Sequence, residues 1–278
     1  MTIAQTPQPF SCHLPTLAEA LAGTESALGE LKTQIDKFLA RESVLLLDLS
    51  TQCESLSSFR SATHRICAQL GPLMAQNEAG DVVIEVYDRH KGSIADGARY
   101  HQTRDGGDIH TDSVNRAEAM KYIALGCACP AQIGGETILV RAKTIYDALK
   151  PYPDILETLR QPFWFEGRGM QETPGLFQLS VLQGDDDNPR FRYLRGYIES
   201  AHDRAGAPLT MEQQRAFDVL DALLDMARHQ HRFVLDRFQL LLTVDTAVFH
   251  GRTRFVDGVT NGAEGHGRHM LRYWIEES

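Results

Sequence analysis

Two side chains that could bind a metal ion, His110 and Asp112, are separated by one residue in the segment Gly-Gly-Asp-Ile-His-Thr-Asp at residues 106–112. In a strand, side chains at positions i and i+2 project from the same face, so an imidazole and a carboxylate at this spacing can bind one cation together. A second, distant histidine would complete the two-histidine, one-carboxylate set that holds non-haem Fe(II). The pair alone is weak evidence, because a chain with 11 histidines is expected to contain about one His-x-Asp by chance, usually in a surface turn.

The distant histidine could be His250, which ends an apolar run and is followed by Gly-Arg. His266 repeats the His-Gly-Arg pattern within a glycine-rich stretch, so it is a rival third ligand. Further on, Arg268 and Arg272 would share one face of a strand. Because a guanidinium can bind a carboxylate through two parallel N–H groups, this face would suit a dicarboxylic co-substrate.

The composition narrows the class of partner. The 278 residues are 42% hydrophobic and 23% charged, as in an ordinary globular protein. A net charge of −9 argues against nucleic acid or an anionic membrane as partner, since both require a basic surface. We find no apolar run long enough to cross a bilayer and no signal-peptide pattern near the N-terminus. Five scattered cysteines are not a disulfide framework and favour the cytoplasm.

The order of predicted elements favours a mainly β, α+β fold with flanking helices. Strands alternate with helices without the regular βαβ repeat, which indicates sheet-on-sheet packing. We expect one domain over residues 1–278, with a helical N-terminal extension over residues 1–40. The predicted strands are residues 44–49, 81–87, 121–130, 137–140, 162–167, 176–182, 191–197, 238–249 and 268–275. The predicted helices are residues 16–41 (broken near Gly23), 57–70 (capped by Ser57 or Ser58), 142–149, 153–160 and 210–230, the last being the longest and capped by Thr210.

Four segments, in this order along the chain, resemble one known family: Ile-His-Thr-Asp at 109–112, Gly-Gly-Glu-Thr at 134–137, Val-Asp-Thr-Ala-Val-Phe-His-Gly-Arg at 244–252, and Arg268 followed by Arg272. Over roughly residues 44–278 the sequence resembles the Fe(II)/2-oxoglutarate dioxygenases of the taurine dioxygenase and clavaminate synthase-like superfamily. The resemblance implies a double-stranded β-helix, or jelly roll, flanked by helices. It also implies three cofactors or co-substrates: Fe(II), 2-oxoglutarate and O2.

The resemblance assigns expected roles to individual residues. His110, Asp112 and His250 match the catalytic iron ligands of the family. Thr137 and Arg268 match the residues that hold the distal carboxylate of 2-oxoglutarate. Because an aspartate is retained at position 112, where halogenating relatives carry a small residue, the resemblance favours hydroxylation. An asparagine that is common in relatives near residues 245–246 is absent here.

The substrate is predicted less specifically. Arg272 matches a position that contacts an acidic group of the substrate in some members, and Asp108, Asn115 and Arg252 are further candidates for substrate contact. Because these residues offer both signs of charge, we expect a small polar metabolite, an amino acid or a derivative of one. The glycine-rich stretch at residues 256–267 looks suited to act as a lid.

Three other functions stay open at this stage. The same oxidant could desaturate or cyclise the substrate instead of hydroxylating it. A jelly-roll protein could bind a metal or metabolite without turnover, although it would have no need of a co-substrate clamp. A zinc hydrolase could use the same three ligands, but the motif shows no general base. Oligomeric state is not predicted by the sequence.

Overall fold

The computed structural model describes residues 10–12, 14–23, 25–77, 79–90, 102–167, 175–258 and 267–277. Seven helices are found in these ranges: α1 (Leu17–Ala22), α2 (Glu25–Glu42), α3 (Leu56–Leu70), α4 (Ala142–Leu149), α5 (Pro153–Leu159), α6 (Arg195–Arg204) and α7 (Met211–Leu224). The described strands are β1 (Val44–Asp48), β2 (Val83–Val86), β3 (Tyr122–Cys129), β4 (Ile133–Gly134), β5 (Thr137–Arg141), β6 (Pro162–Glu166), β7 (Leu176–Ser180), β8 (Leu182–Gln183), β9 (Arg190–Phe191), β10 (His231–Phe233), β11 (Gln239–Val244), β12 (Val248–Arg252), β13 (Phe255–Val256) and β14 (His269–Ile275).

Two antiparallel sheets form the centre of the fold. The larger sheet has the strand order β1-β11-β3-β14-β2, and the smaller has the order β10-β5-β12. Strands that are adjacent in these sheets are far apart in sequence, as the predicted jelly roll requires. The strand pairs β4–β13, β6–β7 and β8–β9 form separate two-stranded ribbons.

Each central sheet buries both faces. In β1, Leu45 and Leu47 pack toward the helices α1–α3, whereas Val44 and Leu46 belong to the apolar cluster between the two sheets. In β5, Leu139 joins that same inter-sheet cluster while its neighbours pack against α4–α7. This two-residue alternation produces four layers, with helices outside each sheet and a shared apolar interior. The functional side chains lie at one end of this interior.

The helices near the N-terminus confirm one sequence prediction and correct another. The helix predicted over residues 16–41 is interrupted at Gly23, which has a φ of 113° and ends α1. The predicted cap of α3 was wrong: Ser55 is the N-cap, and Ser58 completes a reciprocal capping box three residues later. The expected N-terminal extension packs its apolar face on the larger sheet.

Two predicted elements differ in the structure. Residues 191–197 were predicted as one strand, but β9 ends at Phe191 and α6 begins at Arg195. The helix predicted over residues 210–230 ends at Leu224, so α2, with 18 residues, is longer than α7. After β9 the chain stays extended as far as Tyr193, because the backbone of Tyr193 is hydrogen-bonded to Thr111. From Arg195 onward, an Arg195–Glu199 ion pair at i, i+4 supports a helix. The strand predicted over residues 238–249 is interrupted by a 3₁₀ helix at Asp245–Ala247.

The predicted lid at residues 256–267 lies largely outside the described residues, and so does His266, the rival metal ligand. Among the helices of the described ranges, we find none that is both long and apolar enough to cross a membrane.

Replacing Gly71 by alanine should destabilise the fold by about 1–3 kcal/mol, through overpacking. A Cβ at this position would lie 2.3 Å from the backbone oxygen of Glu276, next to the hydrogen bond from Glu276 N to Pro72 O. The matched control is Gly29→Ala in α2, where a Cβ meets nothing within 4 Å. The control should stabilise the protein by about 0.5–1 kcal/mol, because alanine is the better helix former. Urea unfolding of both variants measures the effects; a shift of the same sign in both would contradict the packing described.

Candidate active site

The three candidate metal ligands come together at one end of the inter-sheet interior. His110 and His250 form an isolated antiparallel bridge, in which each backbone N–H donates to the other residue's carbonyl, at 2.9 and 2.8 Å. Because residues paired in this way project side chains to the same face, the two rings lie together, with centroids 4.5 Å apart. Asp112 Oδ1 lies 3.3 Å from His110 Nε2 and 3.5 Å from His250 Nε2. The predicted pairing of distant segments therefore brings all three side chains together.

The carboxylate of Asp112 is held by its other oxygen. Trp274 Nε1 donates to Asp112 Oδ2 at 2.8 Å, and Arg272 Nη1 donates to the same oxygen at 3.2 Å. His110 is oriented in a similar way, since its Nδ1 lies 2.7 Å from the backbone oxygen of Asp108 and its Nε2 faces Asp112. Contacts of this kind fix the orientation of metal ligands and leave Asp112 Oδ1 and His110 Nε2 for an ion.

Charges within the site shift the pKa values of its ligands. Burial raises the pKa of Asp112, but the charge of Arg272 and hydrogen bonds from His110 and His250 outweigh burial and hold this pKa well below its usual range. Burial lowers the pKa of His110, but the hydrogen bond and charge of Asp112 reverse that effect and raise it. A cation that binds here must displace the proton of His110, so its affinity should fall as the pH falls.

Asp245 fixes the backbone beside Asp112, and sequence reasoning did not predict this role. Its side chain is 0% exposed and accepts hydrogen bonds from the backbone N–H of Asp112 at 2.8 Å and of Ser113 at 3.0 Å. Burial, and then the charge of Asp112, raises the pKa of Asp245. The preceding residue is held as well: Thr111 N donates to Tyr193 O, and Tyr193 N donates to Thr111 Oγ1, both at 2.9 Å.

An Asp245→Asn variant should bind divalent metal more weakly and melt roughly 5–10 °C lower. The amide has only one oxygen, so its NH2 group would face one of the two backbone N–H donors. Mn(II) titration and thermal unfolding measure the two effects. Asp203→Asn, at an exposed position in α6, is the control and should change neither. Unchanged affinity and melting temperature in Asp245→Asn would contradict the positioning role.

The residues expected to hold a co-substrate line the same cavity. Thr137, Arg268 and Arg272 lie along its wall together with His110 and His250. Arg272 in β14 and Arg268, the residue before that strand, both line the cavity, as predicted for a shared face, whereas the intervening Leu271 packs toward the helices. Thr137 is buried at the start of β5.

Two steric constraints require glycine at the two positions, Gly134 and Gly135, that lie shortly before Thr137. Gly134 and Gly135 have φ values of 73° and 69°, in the left-handed region that favours glycine. A Cβ on Gly134 would lie 2.2 Å from the backbone oxygen of Arg254, and a Cβ on Gly135 would lie 3.1 Å from Cδ and Nε of Arg268. The glycines therefore permit both the turn and the close approach of the Arg268 side chain.

The candidate substrate residues occupy different places. Asp108 is exposed and contributes its backbone oxygen to His110. Asn115 ends the 3₁₀ helix after Asp112, and its Oδ1 is buried without a hydrogen-bond partner in the described part of the chain. Arg252 lines the cavity but donates Nε to the backbone oxygen of Asp105 at 3.2 Å, so it also fastens the segment before the metal ligands.

The donor set fits a hard or borderline divalent cation. One ligand atom from each of His110, Asp112 and His250 lies within 4.8 Å of the other two. Two imidazoles and one carboxylate leave coordination positions open for small molecules, as in non-haem Fe(II) centres. In the described residues no other group of three or more histidine, cysteine, aspartate or glutamate side chains is close enough to hold a metal ion.

Two curated proteins are similar to this chain in sequence. FR-33289 synthase from Streptomyces rubellomurinus is 27% identical over 212 residues, which cover 74% of this chain and 60% of the relative. Taurine hydroxylase-like protein SAT17 from Stachybotrys chartarum is 28% identical over 213 residues, which cover 74% of this chain and 50% of the relative. The match therefore spans 60% of the length of the first relative and half the length of the second.

Solved structures confirm the predicted double-stranded β-helix. Asparagine oxygenase in complex with Fe(II), 3-hydroxyasparagine and succinate superposes with a TM-score of 0.70 at 15% identity, covering 96% of this chain and 92% of that one. The non-haem iron oxygenase OrfP, with Fe, succinate and hydroxy-L-Arg, gives a TM-score of 0.66 at 13% identity, covering 98% and 95%. The family model described as taurine catabolism dioxygenase TauD, TfdA family matches residues 16–274, so it also includes the N-terminal helices that the sequence resemblance omitted. The chain belongs to the TauD, TfdA dioxygenase family.

Proposed function

We propose that this protein is an Fe(II)- and 2-oxoglutarate-dependent dioxygenase that hydroxylates a small polar metabolite. One observation carries the proposal: a single cavity joins the His110, Asp112 and His250 cluster to the buried Arg268 and Thr137. A protein that binds a metal without turnover would need only the three metal ligands, and not Arg268 and Thr137. Membership of a dioxygenase family supports the same conclusion.

The charges of the cavity suit a dianionic co-substrate. Arg252, Arg268 and Arg272 all line it, whereas Asp112, beside them, would be a ligand of the cation. Three guanidiniums in one cavity wall attract an anion, and 2-oxoglutarate carries two carboxylates. We propose that Arg268 and Thr137 bind its distal carboxylate, with Arg268 supplying the charge and Thr137 a hydroxyl donor.

The protein's own part in the reaction is to hold and to orient. His110, Asp112 and His250 would hold Fe(II), which with 2-oxoglutarate and O2 supplies the oxidant for an unactivated C–H bond, releasing succinate and CO2. Trp274 and Arg272 keep Asp112 turned toward the cation. Apolar side chains of both sheets complete the cavity wall and exclude water from the reacting groups.

For the substrate, we propose an amino acid or a close derivative. A second, polar cleft shares Arg272 with the metal cavity and presents both signs of charge, including Glu85 and Arg89. Such a surface can bind the ammonium and carboxylate groups of one molecule. The similar structures were solved with hydroxylated asparagine and arginine, which supports the same substrate class. The five cysteines are free thiols, which suits the reducing cytoplasm that we propose as its location, and we propose that one domain carries the whole site.

Succinate release tests this function directly. Protein loaded anaerobically with Fe(II) is given 2-oxoglutarate, ascorbate and O2 with a panel of amino acids and derivatives, and an Asp112→Ala protein is the control. We expect one compound to stimulate succinate release and to gain one oxygen atom by mass spectrometry. A product that lacks two hydrogen atoms would change the reaction to desaturation or cyclisation. No succinate from iron-loaded protein would overturn the proposal in favour of a binding module.

A further inference from the structure

A buried aromatic ring connects two of the arginines in the cavity wall. Phe255 is 1% exposed, and its ring centroid lies 5.1 Å from Cζ of Arg252 and 5.4 Å from Cζ of Arg268. Both distances are within the range of cation–π attraction, which is stronger where water is excluded. The ring therefore contacts the guanidinium proposed to bind the co-substrate and, at the same time, a second cation.

Phe255 itself is held firmly. It pairs with Gly134 in the β4–β13 ribbon, and its backbone N–H donates to the carbonyl of Arg104 at 3.2 Å. Gly134 belongs to the same turn as Gly135, whose missing side chain makes room for Arg268. Ring, turn and guanidinium are thus parts of one packed unit.

Arg252, on the same ring, has a different set of partners. Its Nη2 and Nε donate to the backbone oxygen of Asp105 at 3.0 and 3.2 Å, and Nη2 also contacts the carbonyl of Thr103. These contacts anchor Arg252 to the segment that leads to the metal ligands. The guanidiniums of Arg252 and Arg268 carry like charges and repel each other. The negative face of the Phe255 ring attracts both groups and offsets part of that repulsion.

We propose that Phe255 is a positioning residue that holds Arg268 ready to bind the distal carboxylate of the co-substrate. The inference rests on the proposed function, since it assumes that Arg268 binds that carboxylate. Phe255 acts by limiting the conformations of a long, flexible side chain before binding, which lowers the entropy that binding must overcome. A ring that only filled the core would affect stability and not the choice of 2-oxo acid.

The test compares two ligands that differ in one carboxylate. Binding of 2-oxoglutarate and of 2-oxobutyrate, which lacks the distal carboxylate, is measured by calorimetry on Mn(II)-loaded protein, so no turnover is needed. In Phe255→Leu, the Kd for 2-oxoglutarate should rise about fivefold to thirtyfold, whereas the Kd for 2-oxobutyrate should change less than about twofold. Phe255→Tyr keeps the ring and should restore most of the 2-oxoglutarate affinity.

Phe163→Leu is the matched control, because Phe163 is 0% exposed and packs on Phe217 away from the cavity. It should lower the melting temperature without changing either Kd. If Phe255→Leu does not fold, Phe255→Met removes the ring with a flexible side chain of similar size. An equal rise of both Kd values in the ring-less variant, or no rise in either, would overturn the role of Phe255. Equal affinity of the unmodified protein for the two acids would instead contradict the proposed role of Arg268.

Discussion

A His110→Ala protein is expected to fold, to bind almost no Fe(II), and to release succinate only at the background rate. The change removes one of the three proposed metal ligands and leaves Asp112 with one histidine, His250, beside Oδ1. Loss of a ligand from a three-ligand site weakens metal binding far more than loss of a supporting contact, which costs about 10–100-fold in affinity. The iron content after anaerobic loading and desalting measures the effect.

The control for this variant is His64→Ala, at an exposed position of α3 outside the cavity. It should retain both iron and activity. Full iron occupancy in His110→Ala, with normal turnover, would show that the metal is held elsewhere and would contradict the site described above. If the variant retained iron but lost turnover, His110 would be needed for catalysis and not for metal binding.

An Arg268→Ala protein is expected to keep its metal and to require at least about a hundredfold more 2-oxoglutarate. A buried charge pair that loses one partner costs about 3–5 kcal/mol, because the remaining carboxylate must be desolvated without compensation. The effect should appear mainly in the KM for 2-oxoglutarate and less in kcat, because Arg268 is proposed to bind the end of the molecule away from the metal. Steady-state succinate release, with 2-oxoglutarate varied, measures both constants.

Arg254→Ala is the corresponding control, since Arg254 is exposed on the neighbouring strand connection. Its KM for 2-oxoglutarate should not change. If Arg268→Ala also kept its KM, another guanidinium of the cavity, Arg252 or Arg272, would have to bind the distal carboxylate. A double variant would then identify which of these two carries the role.

Local periodicity and spacing predicted much of the site. Strand spacing predicted that His110 and Asp112 would lie close together and that Arg268 and Arg272 would share a face, and each pair is found together in the site. The backbone differs from a strand at two of these residues: Asp112 has helical backbone angles at the start of a 3₁₀ helix, and Arg268 precedes β14. The pairing of His110 with His250 required more, because it depends on which distant strands become neighbours. The resemblance to a known family identified His250 as the partner, which local patterns alone did not.

The supporting contacts could not be predicted in the same way. The family resemblance predicts an asparagine close to Asp245 and assigns Asp245 itself no role, although a carboxylate inside an apolar run is a signal of a buried hydrogen-bonding role. Its partners are backbone N–H groups 133 and 132 residues away, which have no signature in the sequence. The segment at residues 191–197 was mispredicted for a related reason, since its extended part is set by a tertiary contact with Thr111.

The two reciprocal backbone hydrogen bonds between His110 and His250 link metal binding to folding. The ligands belong to segments that meet only once the smaller sheet has closed, so an unfolded chain offers no comparable site. A cation that binds the folded state alone must raise its stability, by about 2.7 kcal/mol at a concentration 100 times the Kd. Cellular supply of iron would then determine how much folded enzyme survives proteolysis, and metal starvation would lower its abundance as well as its activity.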